Sequence, residues 1–139
     1  MTEIYPKIER MVAVLDEHKT ALDAAQLMAQ KFIGSVVVTG QSHVKGIFTE
    51  RDLLRRIVCE HRDPGEVKLK DVMRTDLVTV APHDSVESCL EKMKEKRTRY
   101  LLVYDGKEFI GVVSLRDMVA LMLNEREALI GQLTQYITS

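Results

Sequence analysis

The sequence predicts an α+β protein built of two β-α-β-β-α repeats packed as a pseudo-twofold symmetric module, and three observations predict it. Residues 12–58 recur without a gap 65 positions later, so that His18 meets His83, Met28 meets Met93, Lys31 meets Lys96 and Val38 meets Val103. Within each copy, β-branched and aromatic runs alternate with stretches of helical apolar spacing, the two periods that separate strand from helix. Each copy also carries one shared segment, Gly46-Ile47-Phe48-Thr49-Glu50-Arg51-Asp52 in the first and Gly111-Val112-Val113-Ser114-Leu115-Arg116-Asp117 in the second. The period is too long for a solenoid turn and only two copies exist, which favours two small domains related by an internal pseudo-twofold axis. The division is expected at 1–65, the first repeat with an N-terminal segment, and 66–139, the second repeat with a C-terminal helical extension. A chain of 139 residues with 45% hydrophobic and 29% charged residues predicts one compact unit with an ordinary core.

In the first copy, Met11–Leu15 reads as a strand. Thr20 starts a helix with apolar positions Leu22, Ala25, Met28 and Phe32, and Thr20 with Asp23 forms a capping box. The runs Ser35–Thr39 and Val44–Phe48 are strands separated by Gly40-Gln41-Ser42, and a second helix follows from Glu50 to Glu60. Asp63-Pro64-Gly65 opens the linker. Leu77–Val80 then repeats the first strand, and Asp84, with Glu87 three residues on, is expected to cap the next helix. Tyr100–Tyr104 and Glu108–Val113 flank Asp105-Gly106, a dipeptide suited to a turn with positive φ at both central positions.

The last helix outruns its counterpart, with Leu115, Met118, Val119, Met122, Leu129, Leu133 and Tyr136 along one side. Gly131 weakens it by about 1 kcal/mol relative to alanine, so packing must hold it. Its own core and a second copy of the chain both fit that need. The N-terminal Ile4, Ile8 and Met11 are expected to cover the same surface.

Charge excludes several classes. A net charge of -1 and a pI near 6.4 leave no uncompensated basic cluster to draw the chain to nucleic acid or an anionic membrane. Cys59 and Cys89 lack metal or CxxC spacing, and no apolar stretch reaches the length of a membrane span. The N-terminus does not read as a signal peptide, so a cytoplasmic location is expected. His18 and His83 precede helices with no partner at ligand spacing, and no metal site is expected. Lys92, Lys94, Lys96 and Arg97 alternate with Glu91 and Glu95 as a solvated helix face. No nucleophile is paired with a base, so no enzyme is expected.

The shared segment places a strand-to-helix turn in each repeat. The first N–H groups of a helix lack intrahelical partners and its dipole favours an anion there, which suits a phosphate. Thr49 and Ser114 can add a hydroxyl, Arg51 and Arg116 a forked cation, and Asp52 and Asp117 an acceptor for vicinal hydroxyls. Gly46 and Gly111, read as lying at the start of their strands, allow close backbone approach. Thr49-x-x-Asp52 and Ser114-x-x-Asp117 are equally capping boxes, in which the acid turns back onto a helix N–H. Arg55 and Arg56 fit either an exposed helix face or a phosphate tail.

With these residues the chain resembles the tandem CBS domains, named after cystathionine β-synthase. The likeness covers nearly the whole chain and rests on two copies of an apolar strand followed by Gly-h-h-[Ser/Thr]-x-x-Asp. The resemblance implies that each motif acid holds the ribose of an adenosine nucleotide in a cleft between the repeats, with the hydroxyl residue near phosphate and the base among apolar strand residues. One cleft would use Ile47, Thr49, Arg51 and Asp52 with Met73, Val78, Thr98, Arg99 and Tyr100. The other would use Val112, Ser114, Arg116 and Asp117 with Ile8, Ala13, Ile33, Gly34 and Ser35. Arg99 stands where the family often has a phosphate-facing cation, and its repeat partner is Gly34, which makes the sites unequal. The sequence departs from the family where many members have proline, at Val37 and Leu102, and Leu115 replaces Glu50.

The resemblance implies a stand-alone regulatory or sensor module for AMP, ADP, ATP or NAD that modulates a partner or its own assembly, and a homodimer through helix faces. No catalytic cofactor is implied. A non-catalytic dimeric scaffold without physiological ligand is the competing reading, and RNA binding through the basic residues is a third.

Overall fold

The computed structural model describes residues 2–138, with side chains through residue 135. The chain divides into two units, Met11–Leu77 and Met1–Arg10 together with Val78–Ser139, where one was expected from length.

In the first-repeat unit, β1 (Val14–Asp16) pairs in parallel with β2 (Ser35–Gly40), which pairs antiparallel with β3 (His43–Thr49). The expected first strand is shorter than Met11–Leu15: Met11 is exposed, and Ala13 contributes only its carbonyl to the Val37 amide at 2.9 Å. Helix α1 (Ala21–Lys31) has the expected capping box at Thr20 and Asp23. Its core face is Ala21, Ala24 and Met28, which shares Met28 with the expected stripe and otherwise lies one position before Leu22 and Ala25. Leu22 is partly exposed, and Phe32 is 92% exposed because it is the left-handed C-cap, turned out of the helix. The hairpin turn carries positive φ at both Gln41 and Ser42. After β3 comes α2 (Glu50–Asp52), which widens into a π-helical turn over Leu53–Val58, so the expected helix from Glu50 forms but is α-helical only in its first turn and ends at Val58, short of Glu60. Amides of Cys59 and Arg62 reach back five residues to Leu54 and Ile57, both at 2.9 Å.

The second-repeat unit repeats this order: β4 (Thr79–Val80) is parallel to β5 (Tyr100–Asp105), which is antiparallel to β6 (Glu108–Ser114). Helix α4 (Val86–Lys96) is capped by Ser85, whose Oγ accepts the Ser88 amide at 3.2 Å. Asp84, the expected cap, instead accepts from Ala81 N at 3.0 Å, one residue too early to reach the helix amides. The turn between β5 and β6 has positive φ only at Gly106, the pattern of a II′-class hairpin rather than the doubly positive turn expected. Helix α5 (Leu115–Thr138) runs past the end of the repeat as anticipated.

The centres of the two cores match at the 65-residue offset. Ala21, Ala24, Met28, Val36, Val38 and Phe48 lie in one core, and Val86, Cys89, Met93, Leu101, Val103 and Val113 in the other. Segments outside the recognised repeat complete each core. Leu69 and Val72, on α3 (Leu69–Val72), enter the first-repeat core, and Ile4 and Ile8 enter the second with Met118 and Leu121 of α5. The packing thus groups 66–77 with the first repeat and the N-terminal segment with the second, so the boundaries of the packed units differ from a division at residue 65. The offset extends to these segments: Val67 O accepts Ala21 N at 2.8 Å as Thr2 O accepts Val86 N at 2.9 Å.

Candidate functional site

Each unit turns from strand to helix in the same way. Thr49 is extended and ends β3, and the carbonyl of Gly34 accepts the Glu50 amide at 3.0 Å. Ser114 ends β6, and Arg99, which the offset pairs with Gly34, gives its carbonyl to the Leu115 amide at 2.8 Å. The cross-strand partners of the hydroxyl residues are also equivalent, Ser35 with Thr49 and Tyr100 with Ser114.

Both motif acids turn back onto their own main chain. Asp52 Oδ2 accepts the Thr49 amide at 2.9 Å and its hydroxyl at 3.0 Å, while Thr49 Oγ1 accepts the Asp52 amide at 3.2 Å. Asp117 does the same with Ser114 at 2.8, 2.9 and 3.2 Å. The capping geometry therefore occupies one carboxylate oxygen of each acid and both hydroxyl residues. The other oxygens differ. Asp52 Oδ1 lies 3.9 Å from Arg56 Nε, and Arg56 Nη1 donates to Val72 O at 2.9 Å. Leu121 takes the place of Arg56 in the second unit and is buried.

The glycines are explained by the chain itself. Both lie inside their strands, not at the start. A Cβ on Gly46 would sit 2.7 Å from Arg74 O and from Met73 Sδ, and one on Gly111 would meet Glu9 O and, at 2.9 Å, Ile8 Cγ2. These close approaches let a short segment bridge each strand: Ile47 and Arg74 exchange backbone hydrogen bonds at 3.0 and 2.9 Å, and Glu9 and Val112 at 2.9 and 3.1 Å. Arg74 and Glu9 are the structural participants that the sequence reading missed. The signal available was the apolar match of Ile4 with Leu69 and Ile8 with Met73 at the repeat offset.

Half of the expected site residues fall in each unit. Ala13, Ile33, Gly34, Ser35, Ile47, Thr49, Arg51, Asp52 and Met73 belong to the first, and Ile8, Val78, Thr98, Arg99, Tyr100, Val112, Ser114, Arg116 and Asp117 to the second. Ala13 and Val78 are equivalent, each giving its carbonyl to the middle of the neighbouring strand, at 2.9 and 3.0 Å. Ile47 and Val112 are buried, Ile33 is 37% exposed, and Arg51, Arg99 and Arg116 are exposed. Thr98 is tied to Tyr100, donating to its carbonyl at 3.0 Å and accepting from its amide at 3.3 Å.

A solvent-open depression of about 440 Å³ lies in the first-repeat unit, lined by Arg56, Glu60, Arg62, Asp71 and Val72. None of the expected site residues lines it, and its mixed charges give an anion no clear preference, so the motif geometry is the better guide to a ligand. The two histidines at equivalent positions have different surroundings. The His18 amide donates to Asp16 at 2.9 Å, whereas His83 stacks on Tyr5 with ring centroids 4.6 Å apart and places Nδ1 2.8 Å from Glu3. Among the described residues no group of three His, Cys, Asp or Glu side chains is placed to hold a metal, and no helix is long and apolar enough to cross a membrane.

Comparison with known proteins matches residues 6–59 and 69–124 to the CBS domain. The chain is 30% identical over 128 residues to the CBS domain-containing protein YhcV of Bacillus subtilis, covering 92% of this chain and 91% of that one. It is 34% identical over 123 residues to the mitochondrial CBS domain-containing protein CBSX3 of Arabidopsis thaliana, covering 85% of this chain and 60% of that protein's length. Among solved structures, a CBS-domain containing protein from Agrobacterium tumefaciens superposes with a TM-score of 0.78 at 25% identity, covering 84% of this chain and 94% of that chain.

Proposed function

The chain belongs to the CBS-domain family, carrying two copies of the domain, and from that premise we propose that it is a nucleotide sensor for AMP, ADP, ATP or NAD. CBS-domain pairs are regulatory modules of signal transduction. The observation that carries the proposal is the duplicated turn, at which a hydroxyl, an acid and an arginine meet a helix N-terminus with the same hydrogen bonds in both units. Arginine is not needed for capping, and one oxygen of each acid lies outside the cap, that of Asp117 being the better placed for a ribose diol because Asp52 Oδ1 lies 3.9 Å from Arg56 Nε. Arg51, Arg116 and Arg99 are exposed cations for the phosphates. The module acts without catalysis, by shifting a population of shapes that a partner protein or a second copy reads. The same reading makes it a cytoplasmic homodimer through helix faces.

Isothermal titration against a panel of adenine nucleotides tests the proposal. Heat that saturates with one of them supports it, and no heat with any adenosine ligand at millimolar concentration refutes it. The competing scaffold reading is favoured by one observation, the inward turn of both acids onto their caps. Thermal melting separates the two. A ligand at 100 times its dissociation constant stabilises by about 2.7 kcal/mol, whereas a scaffold is indifferent.

A further inference from the structure

Helix α5 changes character along its length. Met118 and Leu121 pack into the core of the second-repeat unit, but every described side chain from Met122 to Gln135 is exposed. Six of the exposed residues are large and apolar: Val119, Met122, Leu123, Leu129, Ile130 and Leu133, each between 48% and 56% exposed. Their positions follow a heptad. Val119, Arg126 and Leu133 fall at a, Met122 and Leu129 at d, and Leu123 and Ile130 at e. A repeat of 3.5 residues keeps one seam facing a like helix, and a single polar residue at an a position sets register at some cost in stability.

Such a helix does not hold itself together in water. Isolated helices shorter than about 12 to 15 residues are marginal even when alanine-rich, and the tail beyond the core-anchored Met118 and Leu121 contains Gly131 and the β-branched Ile130 and Thr134. Thr134 also bonds back to the Ile130 carbonyl at 2.9 Å, a contact that slightly weakens helices. We propose that the tail of α5 pairs with the α5 tail of a second copy of this chain, through the Val119, Met122, Leu129 and Leu133 seam with Arg126 as its single charged layer. This deepens the dimer reading above and is independent of nucleotide binding.

The second copy is the occupant the surface fits. The seam already has the heptad that its partner must also have, and an isologous contact uses one patch twice. The described tail carries only Glu125, Arg126 and Glu127 as charges, too few to repel its own copy. Six half-exposed side chains on each of two copies offer apolar surface on the order of the 1,000 Å² that a specific interface needs.

Sedimentation velocity of the full chain over a concentration series is the test. Wild type is expected to be dimeric, and Leu129→Glu with Leu133→Glu to be monomeric with both units still folded, since the two side chains lie outside the core; its melting temperature should lose the concentration dependence that dimerisation gives wild type. Arg126→Leu is expected to tighten the dimer by about tenfold or more. Leu54 and Val58, which the offset pairs with Val119 and Leu123 and which are also exposed, supply the control. A wild-type monomer overturns both this inference and the dimer reading. A dimer that survives the tail substitutions but is lost on Leu54→Glu with Val58→Glu overturns the inference and leaves the dimer reading standing.

Discussion

The Asp117 carboxylate folds back onto Ser114, one oxygen accepting both the Ser114 amide at 2.8 Å and its hydroxyl at 2.9 Å. The acid therefore has a structural task that any ligand must share, and substitution can separate the two. Asp117→Asn keeps an acceptor for the cap but removes the charge that a ribose diol would meet. We expect it to leave the urea midpoint nearly unchanged while weakening nucleotide binding at least tenfold in titration. Ser114→Ala removes the acceptor from the helix amide and should cost about 0.5–2 kcal/mol by urea denaturation. Equal nucleotide affinity in wild type and Asp117→Asn would remove Asp117 from the site.

Gly111 lies where Glu9 crosses β6, and a Cβ there meets backbone that cannot swing aside. Gly111→Ala should destabilise by about 1–3 kcal/mol. It should also raise amide exchange at Glu9 and Val112, which bond to each other across the bridge. At Gly46 the Cβ also meets a backbone carbonyl, that of Arg74, but less closely than Glu9 O approaches at Gly111, and its other neighbour is the flexible Met73 side chain, so Gly46→Ala should cost less. Equal costs at the two glycines would show that the Met73 side chain gives no relief.

The order of elements in both repeats was legible because burial imposes its period on the sequence: Met28 with Met93 and Val38 with Val103 are core pairs in the structure as in the alignment. Ile4 and Ile8, expected against the last helix, do pack with Met118 and Leu121, although Met11 is exposed; what the sequence did not display is the pairing of Leu69 with the first core. Val67, Leu69 and Val72 lie beyond the stretch that repeats without a gap, so their match to the N-terminal segment is short and is carried by a few apolar positions, Ile4 with Leu69 and Ile8 with Met73. The stripe on α1 was misread for a different reason. Alanines at Ala21 and Ala24 form its core face, and the larger Leu22 and Phe32 drew attention to the outside. The motif acids could not be resolved between cap and ligand from sequence, because both tasks need the same residues at the same spacing.

The two cysteines should react very differently. Burial pushes the Cys89 thiol up to about 11, with Asp84 adding to the effect and Lys92 opposing it, while Cys59 is exposed. Only thiolate is nucleophilic. Titration with a disulfide reagent at pH 8 should label one thiol per native chain quickly and the second only on unfolding. Two fast thiols would mean that Cys89 is reached from solvent in the native state.

Acid should weaken the first-repeat unit at α1. The Thr20 amide and hydroxyl bonds lower the pKa of Asp23, and Arg74 does the same for Asp76. A carboxylate with a folded pKa below its unfolded value stabilises above the unfolded value, and that contribution is lost as pH falls through the folded one. Stability to urea should therefore decline as pH drops below about 4. The decline should be shallower in Asp23→Asn, and an identical pH profile in that variant would remove Asp23 as a contributor.

Phe32 holds a left-handed conformation at φ 55 and ψ 43, with its side chain 92% exposed. A residue with a Cβ pays roughly 1–2 kcal/mol for that conformation, and an exposed ring returns little through burial. Glycine removes the steric cost but loses more chain entropy on folding, so the net gain is smaller than the strain relieved. Phe32→Gly should raise stability by about 0.5–1 kcal/mol, read as a higher urea midpoint at unchanged slope. The amide would still donate to the Met28 carbonyl, so the cap itself is preserved. A loss of stability would mean that the Phe32 ring is covered in solution, and a second copy of the chain would then be the first partner to examine by sedimentation.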